Sequence, residues 1–308
     1  MDPHKILIVP SKSRYELEVA RYGSEERAEQ GYVPAVWKNI RSGHLAQKEN
    51  LDLLEYYFSP EQFVDRSELT PALIDKYGAF VFLGGDNHFT YCSQIMLRYL
   101  QKNAPDKNYK KKMVLGTVLD PKRSWGGQLY FTVDDLIGFL PKLKEDNFEI
   151  EKWAALEANV MQGDKTSKLY PAINEIFVGE TKRWMMSRNQ VYLDGRDIFP
   201  DKSSGILIAT GTGSGNGSWY DNVHSIAFGE SDVFSREAAC ARVILTEHKS
   251  RIKTTLYPGQ VLTIHSSNDD AGVILPDSHE ERAVSFPMGG AAEIRIGSLY
   301  LPVVRKSS

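Results

Sequence analysis

The chain has 308 residues, 42% of them hydrophobic and 25% charged, and its formal net charge is -3. This length favours two compact domains over one, and a pI near 6.2 argues against a general nucleic-acid binder. Two cysteines are too few for a disulfide framework or a thiolate zinc site, and no segment approaches the roughly 20 apolar residues of a membrane span. We therefore expect no nucleic-acid partner and no membrane association. Because a strand-like run begins at Ile6 and leaves no room for a targeting segment, we also expect a cytoplasmic location.

The first half of the chain alternates short apolar runs with helical patterns. Thr70 and Pro71 have the residue types of a helix cap and a first helical position. The expected strands are Lys5–Val9, Gln62–Val64, Ala79–Leu83 and Met113–Gly116, and the expected helices are Ala46–Phe58, Leu69–Tyr77 and Thr90–Lys102. Strands separated by helices predict right-handed crossovers and a mostly parallel sheet.

The second half of the chain is dominated by strand patterns. The segment Met186–Leu193, the pair Asp194-Gly195 and the run from Ile198 predict a β-hairpin with a two-residue turn. Further strands are expected at Phe148–Glu151, Ile206–Ala209, Val261–His265 and Ala292–Ile296. The predicted fold class is therefore α/β + β. A mostly parallel α/β domain, residues 1–140, precedes a β-rich, sandwich-like domain, residues 141–308.

Gly84, Gly85 and Asp86 follow the predicted strand Ala79–Leu83 directly. In an open parallel sheet, ligands bind beyond the carboxyl ends of the strands, and two glycines let main-chain amides approach a phosphate. A carboxylate at that position suits a base that accepts a proton from an attacking hydroxyl, or an indirect metal ligand. The alternative is a turn with a capping aspartate.

Two polar features lie in the second half. The loop after Ile206–Ala209 contains Thr212, Gly213 and Ser214 among other glycines and hydroxyl residues, and its amides and hydroxyls would suit ribose and phosphate oxygens. The required P-loop ending is absent, and a flexible surface loop is the alternative. Asn174 and Glu175 interrupt an apolar segment, where an amide and a carboxylate can hold a vicinal diol or can simply cap a strand.

These three segments together resemble the NAD kinase family. The family has a Gly-Gly-Asp-Gly motif, then an Asn-Glu pair, then a Thr-Gly-Ser loop; this chain has Gly84-Gly85-Asp86-Asn87, Asn174-Glu175 and Thr212-Gly213-Ser214 in that order. The segments SKSRYELEVARY, LGTVLDPKRSWG and KSSGILIATGTGS are most similar to the branch that includes the mitochondrial NAD kinase of animals. The resemblance covers most of the chain to about Ser218.

The resemblance implies transfer of the γ-phosphoryl group of ATP, with Mg²⁺, to the adenosine 2′-hydroxyl of NAD. It implies that Asp86 is the catalytic base, that Gly84, Gly85 and Asn87 lie against ATP phosphates, and that the second-half residues bind NAD: Asn174, Glu175, Thr212, Gly213 and Ser214. It also implies a homo-oligomer, with a dimer favoured. The alternatives are a nucleotide-binding protein of this fold with impaired catalysis, and a related kinase that acts on another hydroxyl substrate.

The chain departs from the family pattern at two positions that matter for the site. Asn87 replaces the fourth residue of the glycine motif, and Asp277-Ser278 stands where the family has Asp-Gly. Because asparagine is enriched in the left-handed region, we expect Asn87 to have a positive φ, with its side-chain amide turned away from the phosphate position. The alternative is that phosphate access is the constraint, so that the side chain projects into the site and impairs catalysis.

Overall fold

The computed structural model describes residues 5–103, 112–124, 126–182, 184–199, 201–215, 217–249, 251–269 and 271–306. Trp125 and Asn216, which lie in two of the segments discussed above, are outside this part of the chain. The chain forms two compact units. The first is bounded by Met1–Cys92, Lys110–Ile150 and Val303–Ser308, and the second by Ser93–Tyr109 and Glu151–Pro302. The boundary near residue 140 stays a prediction.

The first unit is built on a parallel sheet, as predicted. Its elements are β1 (Ile6–Pro10), α1 (Arg14–Tyr22), α2 (Glu25–Gln30), α3 (Pro34–Leu54), α4 (Pro71–Lys76), β2 (Ala79–Gly84), the beginning of α5 (Asp86–Asn103), β3 (Met113–Val118), β4 (Phe131–Thr132), α6 (Val133–Lys144) and the end of β17 (Ala291–Arg305). Strand β1 pairs with β2, and β2 pairs with β3. Strand β4 and the end of β17 also run parallel to β3.

Burial on both faces explains the sequences of the central strands. Every residue of β2 and of β3 is buried, so these strands are continuous apolar runs and do not alternate. The helix caps follow the sequence signals: Thr70 accepts a hydrogen bond from the amide of Leu73, and Pro71 begins α4. These predictions are confirmed.

Three predicted boundaries in the first unit are wrong. Helix α3 begins at Pro34, twelve residues before Ala46. Val33 makes no side-chain cap, but the fixed φ of proline suits the first helical position. The predicted strand Gln62–Val64 is a single bridge between Phe63 and Ile8, preceded by a 3₁₀ turn, Pro60–Gln62. Helix α5 begins at Asp86 and not at Thr90.

The second unit is β-rich, as predicted. Its elements are β5 (Glu149–Gln162), β6 (Lys165–Lys168), β7 (Glu175–Glu180), β8 (Ser187–Leu193), β9 (Arg196–Asp197), β10 (Lys202–Ser203), β11 (Ile206–Ala209), α7 (Trp219–Phe228), β12 (Ala241–Leu245), β13 (Lys253–Leu256), β14 (Leu262–Ser266), β15 (Gly272–Pro276), β16 (Val284–Ser285) and most of β17. One antiparallel sheet has the order β13-β12-β11-β7-β15-β16. In addition, β14 pairs with β8 and with β17.

The core of the second unit is of the sandwich type. One apolar cluster joins residues from β7 and β11 to residues from β14 and β17, among them Ile176, Ile208, Ile264 and Ile294. The predicted hairpin is β8–β9, and its turn residues have positive φ angles of 49° at Asp194 and 79° at Gly195. Such angles are typical of the two-residue turns that match the strand twist, so this prediction is confirmed. Within the described residues, no helix has the length and apolar character needed to cross a membrane.

Lys112 links the entry to β3 with the end of α4, a contact that the sequence does not predict. Its side chain is buried, and its ammonium group donates hydrogen bonds to the carbonyl oxygens of Ile74, Asp75 and Tyr77 at 2.7, 3.0 and 2.6 Å. All three ammonium protons therefore have acceptors, which satisfies the last turn of the helix.

Replacement of Lys112 by methionine should destabilise the protein, because it removes the ammonium donor from these three carbonyl groups. We expect a loss of about 2–3 kcal/mol, or roughly 5–10 °C in the thermal unfolding midpoint. Lys38→Met, at an exposed position of α3, is the control and should change the midpoint by less than about 2 °C. Equal midpoints for the two variants would show that the ammonium contacts contribute nothing.

Candidate functional site

The chain leaves β2 through two glycines that have different reasons to be glycine. A Cβ atom on Gly84 would lie 2.6 Å from Oγ and 2.8 Å from Cβ of Ser11, so any side chain there would displace the segment after β1. Among the described residues, a Cβ atom on Gly85 would meet only Ser124 Oγ, at 3.5 Å, which is an ordinary contact. Gly84 is thus required by the packing of the protein itself. The open space at Gly85 leaves room for a ligand.

Asp86 begins helix α5, and main-chain amides hold its carboxylate. Oδ1 accepts a hydrogen bond from the amide of Gln128 at 2.9 Å, and Oδ2 accepts one from the amide of Gly127 at 3.0 Å. Each carboxylate oxygen has two lone pairs, and these two amides use one on each oxygen, so within the described part of the chain each oxygen can accept a further donor. The aspartate therefore has a fixed orientation and can still accept a proton.

The prediction of a positive φ at Asn87 is wrong. Asn87 lies in the first turn of α5 and is exposed, and it is not among the residues with positive φ. The chain has already completed its turn at Gly84 and Gly85, so position 87 needs only the ordinary helical conformation. A glycine at this position would therefore serve access to the helix terminus and not backbone geometry.

His88 is a structural residue that binds α5 to the end of β1. It is buried, and its Nε2 atom lies 2.8 Å from the carbonyl oxygen of Val9. Burial lowers the pKa of His88 to about 4. The ring is therefore neutral at pH 7 and donates to that carbonyl group.

A cleft of about 310 Å³ lies in the first unit beside the two glycines. Its walls come from the chain after β1, from α3, and from the segment after β3. The lining residues include Ser11, Arg14, Asn39, Gly43, His44, Gln47, Gly84, Gly85, Asp120, Arg123 and Ser124. The cleft thus combines two guanidinium groups and two hydroxyl groups with the turn that leads into the amino end of α5.

The two arginines of the cleft are held in place by other side chains. Arg123 donates to Asn39 Oδ1 at 3.2 Å, to Ser42 Oγ at 2.8 Å and to Asp120 Oδ2 at 2.9 Å. It lies across α3 at Gly43, where a Cβ atom would come within 3.3 Å of Arg123 Cδ. Arg14 pairs with the buried Glu18 at 2.5 Å. Because these contacts use only part of the donor capacity of each guanidinium group, both can still bind an anion.

Asn174 and Glu175 lie at the start of β7 in the second unit, and Asp277 fixes their main chain. The Asp277 carboxylate accepts hydrogen bonds from the successive amides of Ile173, Asn174 and Glu175 at 3.0, 2.8 and 3.1 Å. Gln94 Nε2 donates a fourth hydrogen bond at 2.8 Å. Asp277 is therefore the residue that organises this segment. The sequence singled out the Asp277-Ser278 pair as a departure from the family pattern, but it did not indicate that the Asp277 carboxylate binds these amides.

Glu175 and Asp277 form a close pair of buried carboxyl groups. Burial, with the added repulsion of Asp277, raises the pKa of Glu175 to about 8. Burial also raises the pKa of Asp277 to about 6, although its hydrogen bonds oppose this shift. Because Asp277 has four donors and Glu175 accepts from Ser278 Oγ, at 3.2 Å, Asp277 is the member of the pair that ionises first.

The glycine-rich loop after β11 is packed against Asn174. Residues 210–214 are buried, so this part of the loop is not the flexible surface segment that was one of the alternatives. The amide of Thr210 donates to the carbonyl of Asn174 at 2.8 Å, and a Cβ atom on Gly213 would lie 2.1 Å from that carbonyl oxygen. Ser214 Oγ donates to the carbonyl of Gly211 at 2.8 Å. Gly213 is therefore glycine because two segments of main chain touch.

Two buried side-chain atoms in this region have no hydrogen-bond partner within the described residues. They are Asn174 Oδ1 and Thr212 Oγ1. An unpaired buried polar atom costs free energy, and such atoms are found where a ligand supplies the missing partner. The structure thus brings together the five second-half residues that the sequence singled out. The first unit likewise brings Gly84 and Gly85 to the cleft and places Asp86 directly after them.

No model of a known protein family matches this chain. The chain is 19% identical over 175 residues to an NAD kinase of Sulfurimonas denitrificans, a match covering 57% of this chain and 58% of that protein. It is 30% identical over 134 residues to an NAD kinase of Sodalis glossinidius, covering 44% and 41% respectively. The chain thus spans about half the length of the curated relatives it matches.

Among solved structures, the chain is similar to the crystal structure of yeast NADH kinase complexed with NADH. The TM-score is 0.60 and the sequence identity is 13%, and the match covers 83% of this chain and 72% of that one. This likeness shows the fold: a mixed sheet with parallel N-terminal strands and a β-rich second part.

The two glycines at the end of β2 should respond differently to alanine. Gly84→Ala forces Ser11 to move and should lower the unfolding midpoint by roughly 5 °C or more, as for an overpacked core. Gly85→Ala, its matched control, should leave the midpoint within about 2 °C because its Cβ atom has space. Thermal unfolding followed by circular dichroism measures both. A Gly85→Ala variant as unstable as Gly84→Ala would contradict the assignment of Gly85 to ligand access.

The stability of Glu175→Gln relative to the wild type should increase as the pH rises. In the unfolded chain Glu175 loses its proton near pH 4.5, but in the folded protein it keeps the proton to about pH 8. The wild type therefore loses stability between these values, whereas glutamine does not titrate. We expect the unfolding midpoint of Glu175→Gln to exceed that of the wild type increasingly from pH 5 to pH 8.

Glu281→Gln, at an exposed position in the same unit, is the control for this experiment. Its midpoint should follow the wild type across the same pH range. Parallel curves for Glu175→Gln and the wild type would show that Glu175 is not protonated in the folded protein at neutral pH.

Proposed function

We propose that this protein is an NAD kinase, which transfers the γ-phosphoryl group of ATP to the adenosine 2′-hydroxyl of NAD and so produces NADP. The observation that carries the proposal is the cleft at the carboxyl end of β2, with its two braced arginines and the aspartate that follows it. The similarity to proteins named NAD kinase, and the fold shared with yeast NADH kinase, support the same activity.

The cleft has the chemistry that a nucleoside triphosphate requires. A helix begins at its edge, and the first amides of a helix have no intrahelical acceptor, so they favour an anion. Arg14 and Arg123, each paired with a carboxylate, retain guanidinium donors for an anion, and Ser11 and Ser124 add hydroxyl donors. The open space at Gly85 lets the phosphates approach the main chain. We therefore assign the phosphates of ATP to this cleft, beside Gly84 and Gly85.

The second unit has the chemistry that a dinucleotide requires. The Glu175 carboxyl group can exchange hydrogen bonds with ribose hydroxyl groups in either charge state, and the unpartnered oxygens of Asn174 and Thr212 can accept from the same ligand. Gly213 and Ser214 complete the wall that the loop forms against Asn174. We assign the binding of NAD to these five residues.

The reaction follows from these assignments. The 2′-hydroxyl oxygen attacks the γ-phosphorus, the bond from that phosphorus to the bridging oxygen breaks, and ADP leaves. The proton of the hydroxyl passes to the free lone pair of the Asp86 carboxylate, which its two main-chain contacts hold in one orientation. Positioning and charge stabilisation supply most of the acceleration in phosphoryl transfer, so one base and a fixed phosphate site are sufficient protein chemistry.

Mg²⁺ belongs to this proposal as part of the substrate MgATP. The described residues contain no group of three or more histidine, cysteine or acidic side chains that could hold a metal ion. Phosphate oxygens and water are the usual ligands of Mg²⁺ in such reactions. The ion would neutralise negative charge on the phosphates while Arg14 and Arg123 bind them.

Two finer statements rest on the sequence resemblance: we propose that the protein is a homo-oligomer, with a dimer favoured, and that it belongs with the branch of the animal mitochondrial enzyme. From its cysteine usage we also propose that it acts in the cytoplasm. The buried Cys92 and the partly exposed Cys240 form no disulfide, which suits a reducing compartment. Light scattering of the purified protein tests the dimer.

The direct test is to incubate the purified protein with MgATP and either NAD or NADH and to measure NADP or NADPH with an NADP-specific dehydrogenase. Product formation confirms the proposal and gives the preferred acceptor. Binding of both nucleotides without product would favour a nucleotide-binding protein that has lost phosphoryl transfer. Transfer to a lipid or sugar hydroxyl in parallel reactions would favour a kinase of another substrate.

Asp86→Asn should lower kcat by roughly 10²-fold or more, because the variant cannot accept the proton of the attacking hydroxyl. Its Kd for NAD, measured by calorimetry, should stay within about twofold of the wild type, since Asp86 is assigned to the chemical step. Asp120→Asn removes another carboxylate from the same unit and is the control. It should raise the KM for ATP through Arg123 and change kcat by less than about threefold. An Asp86→Asn variant with wild-type kcat would refute the base.

A further inference from the structure

Ser278 adopts a backbone conformation that serine disfavours. Its φ is 59°, and that of the preceding Asp277 is 49°, so two successive residues other than glycine lie in the left-handed region. For such residues this region is strained, because Cβ approaches the main chain, and glycine has no such penalty. A serine at this place therefore calls for a reason beyond the turn itself.

The Ser278 hydroxyl contacts the side chain of Glu175. Its Oγ atom donates a hydrogen bond to Glu175 Oε1 at 3.2 Å. Asp277 contacts the main chain of the same residue, because its own amide donates to the Glu175 carbonyl at 2.9 Å and its carboxylate accepts from the Glu175 amide. One residue of the turn thus holds the main chain of Glu175, and the next holds its carboxyl group.

Two further side chains, those of Gln94 and Arg282, hold this turn in place. Arg282 Nη1 donates to Gln94 Oε1, and Gln94 Nε2 donates to Asp277 Oδ2. Gln94, Asp277 and Arg282 are all buried. Because Asp277 has hydrogen-bond partners on both carboxylate oxygens, it cannot rotate without breaking several contacts, and Ser278 follows it in a defined position.

We propose that Ser278 is a positioning residue, whose hydroxyl group holds the Glu175 carboxyl group in the orientation in which it binds the ribose of NAD. This inference rests on the proposed function, since it assigns Glu175 to NAD. The groups that act on the Glu175 carboxyl are the Asp277 carboxylate, which raises its pKa, and the Ser278 hydroxyl, which lowers it. Without the hydroxyl, Glu175 would keep its proton to a higher pH.

Two variants separate the hydroxyl group from the backbone strain. Ser278→Ala removes the hydroxyl and keeps the strain, whereas Ser278→Gly removes both. Each should weaken NAD binding by about three- to tenfold, the value of one hydrogen bond, and leave ATP binding within about twofold. Only Ser278→Gly should raise the unfolding midpoint, by roughly 2–4 °C. Asp146→Gly, which relieves a φ of 53° in the first unit, is the control that should be stabilised without any change in NAD binding.

A second measurement does not depend on the ligand. Carboxyl carbon NMR, with Glu175→Gln to assign the signal, gives the titration midpoint of Glu175, which should move to higher pH in Ser278→Ala. An unchanged midpoint together with unchanged NAD affinity would overturn the inference and reduce Ser278 to a turn residue. If the wild type binds no NAD, the proposed function fails, and the shift of the midpoint alone decides whether Ser278 controls Glu175.

Discussion

The contact on which the second unit most depends is that between the Asp277 carboxylate and three successive main-chain amides. The amides of Ile173, Asn174 and Glu175 lie where the chain enters β7, and the buried carboxylate of Asp277 accepts hydrogen bonds from all three. This leaves the carbonyl of Asn174 directed at the loop after β11, where only glycine at position 213 leaves enough space. The arrangement of the five proposed NAD-binding residues follows from this one buried acid.

The first unit uses a carboxylate in a similar way. Asp86 accepts the amides of Gly127 and Gln128 and so fixes the turn after β3 beside the start of α5. Asp277 is buried, and its carboxylate accepts its hydrogen bonds from groups of the protein itself. Asp86 is partly exposed and retains lone pairs for a substrate. The same interaction therefore gives a structural residue in one unit and a proposed catalytic residue in the other. The difference is access to solvent.

Sequence patterns predict those parts of the structure that local chemistry determines. The Asp194-Gly195 hairpin, the Thr70-Pro71 helix start and the buried parallel strands all have signals within a few residues. The start of α3 was missed because Val33 has no capping side chain. The network of Gln94, Asp277 and Arg282 was missed because Gln94 lies 183 residues before Asp277 and 188 before Arg282. The positive φ expected at Asn87 was wrong because the helix begins one residue earlier.

The candidate site shows the same limit. The residue types and their order indicated which positions carry polar chemistry, but not why Gly84 and Gly213 must be glycine. Those reasons are contacts with Ser11 and with the Asn174 carbonyl, which no pattern within either segment contains. The roles assigned to Asp86, Glu175 and the other site residues stay predictions until the variants are measured.

The end of β17 pairs with β3 in the first unit, at Val303 and Val114, although most of the chain between them belongs to the second unit. During synthesis on the ribosome, the parallel sheet of the first unit therefore lacks this strand until Val303 has emerged. Until then, the edge of β3 that pairs with β17 is unpaired, and the sheet formed by β1, β2 and β3 must be kept from associating with other chains. A truncation before Val303, or a fusion partner that hinders this strand, would leave that edge exposed in the finished protein and favour its aggregation.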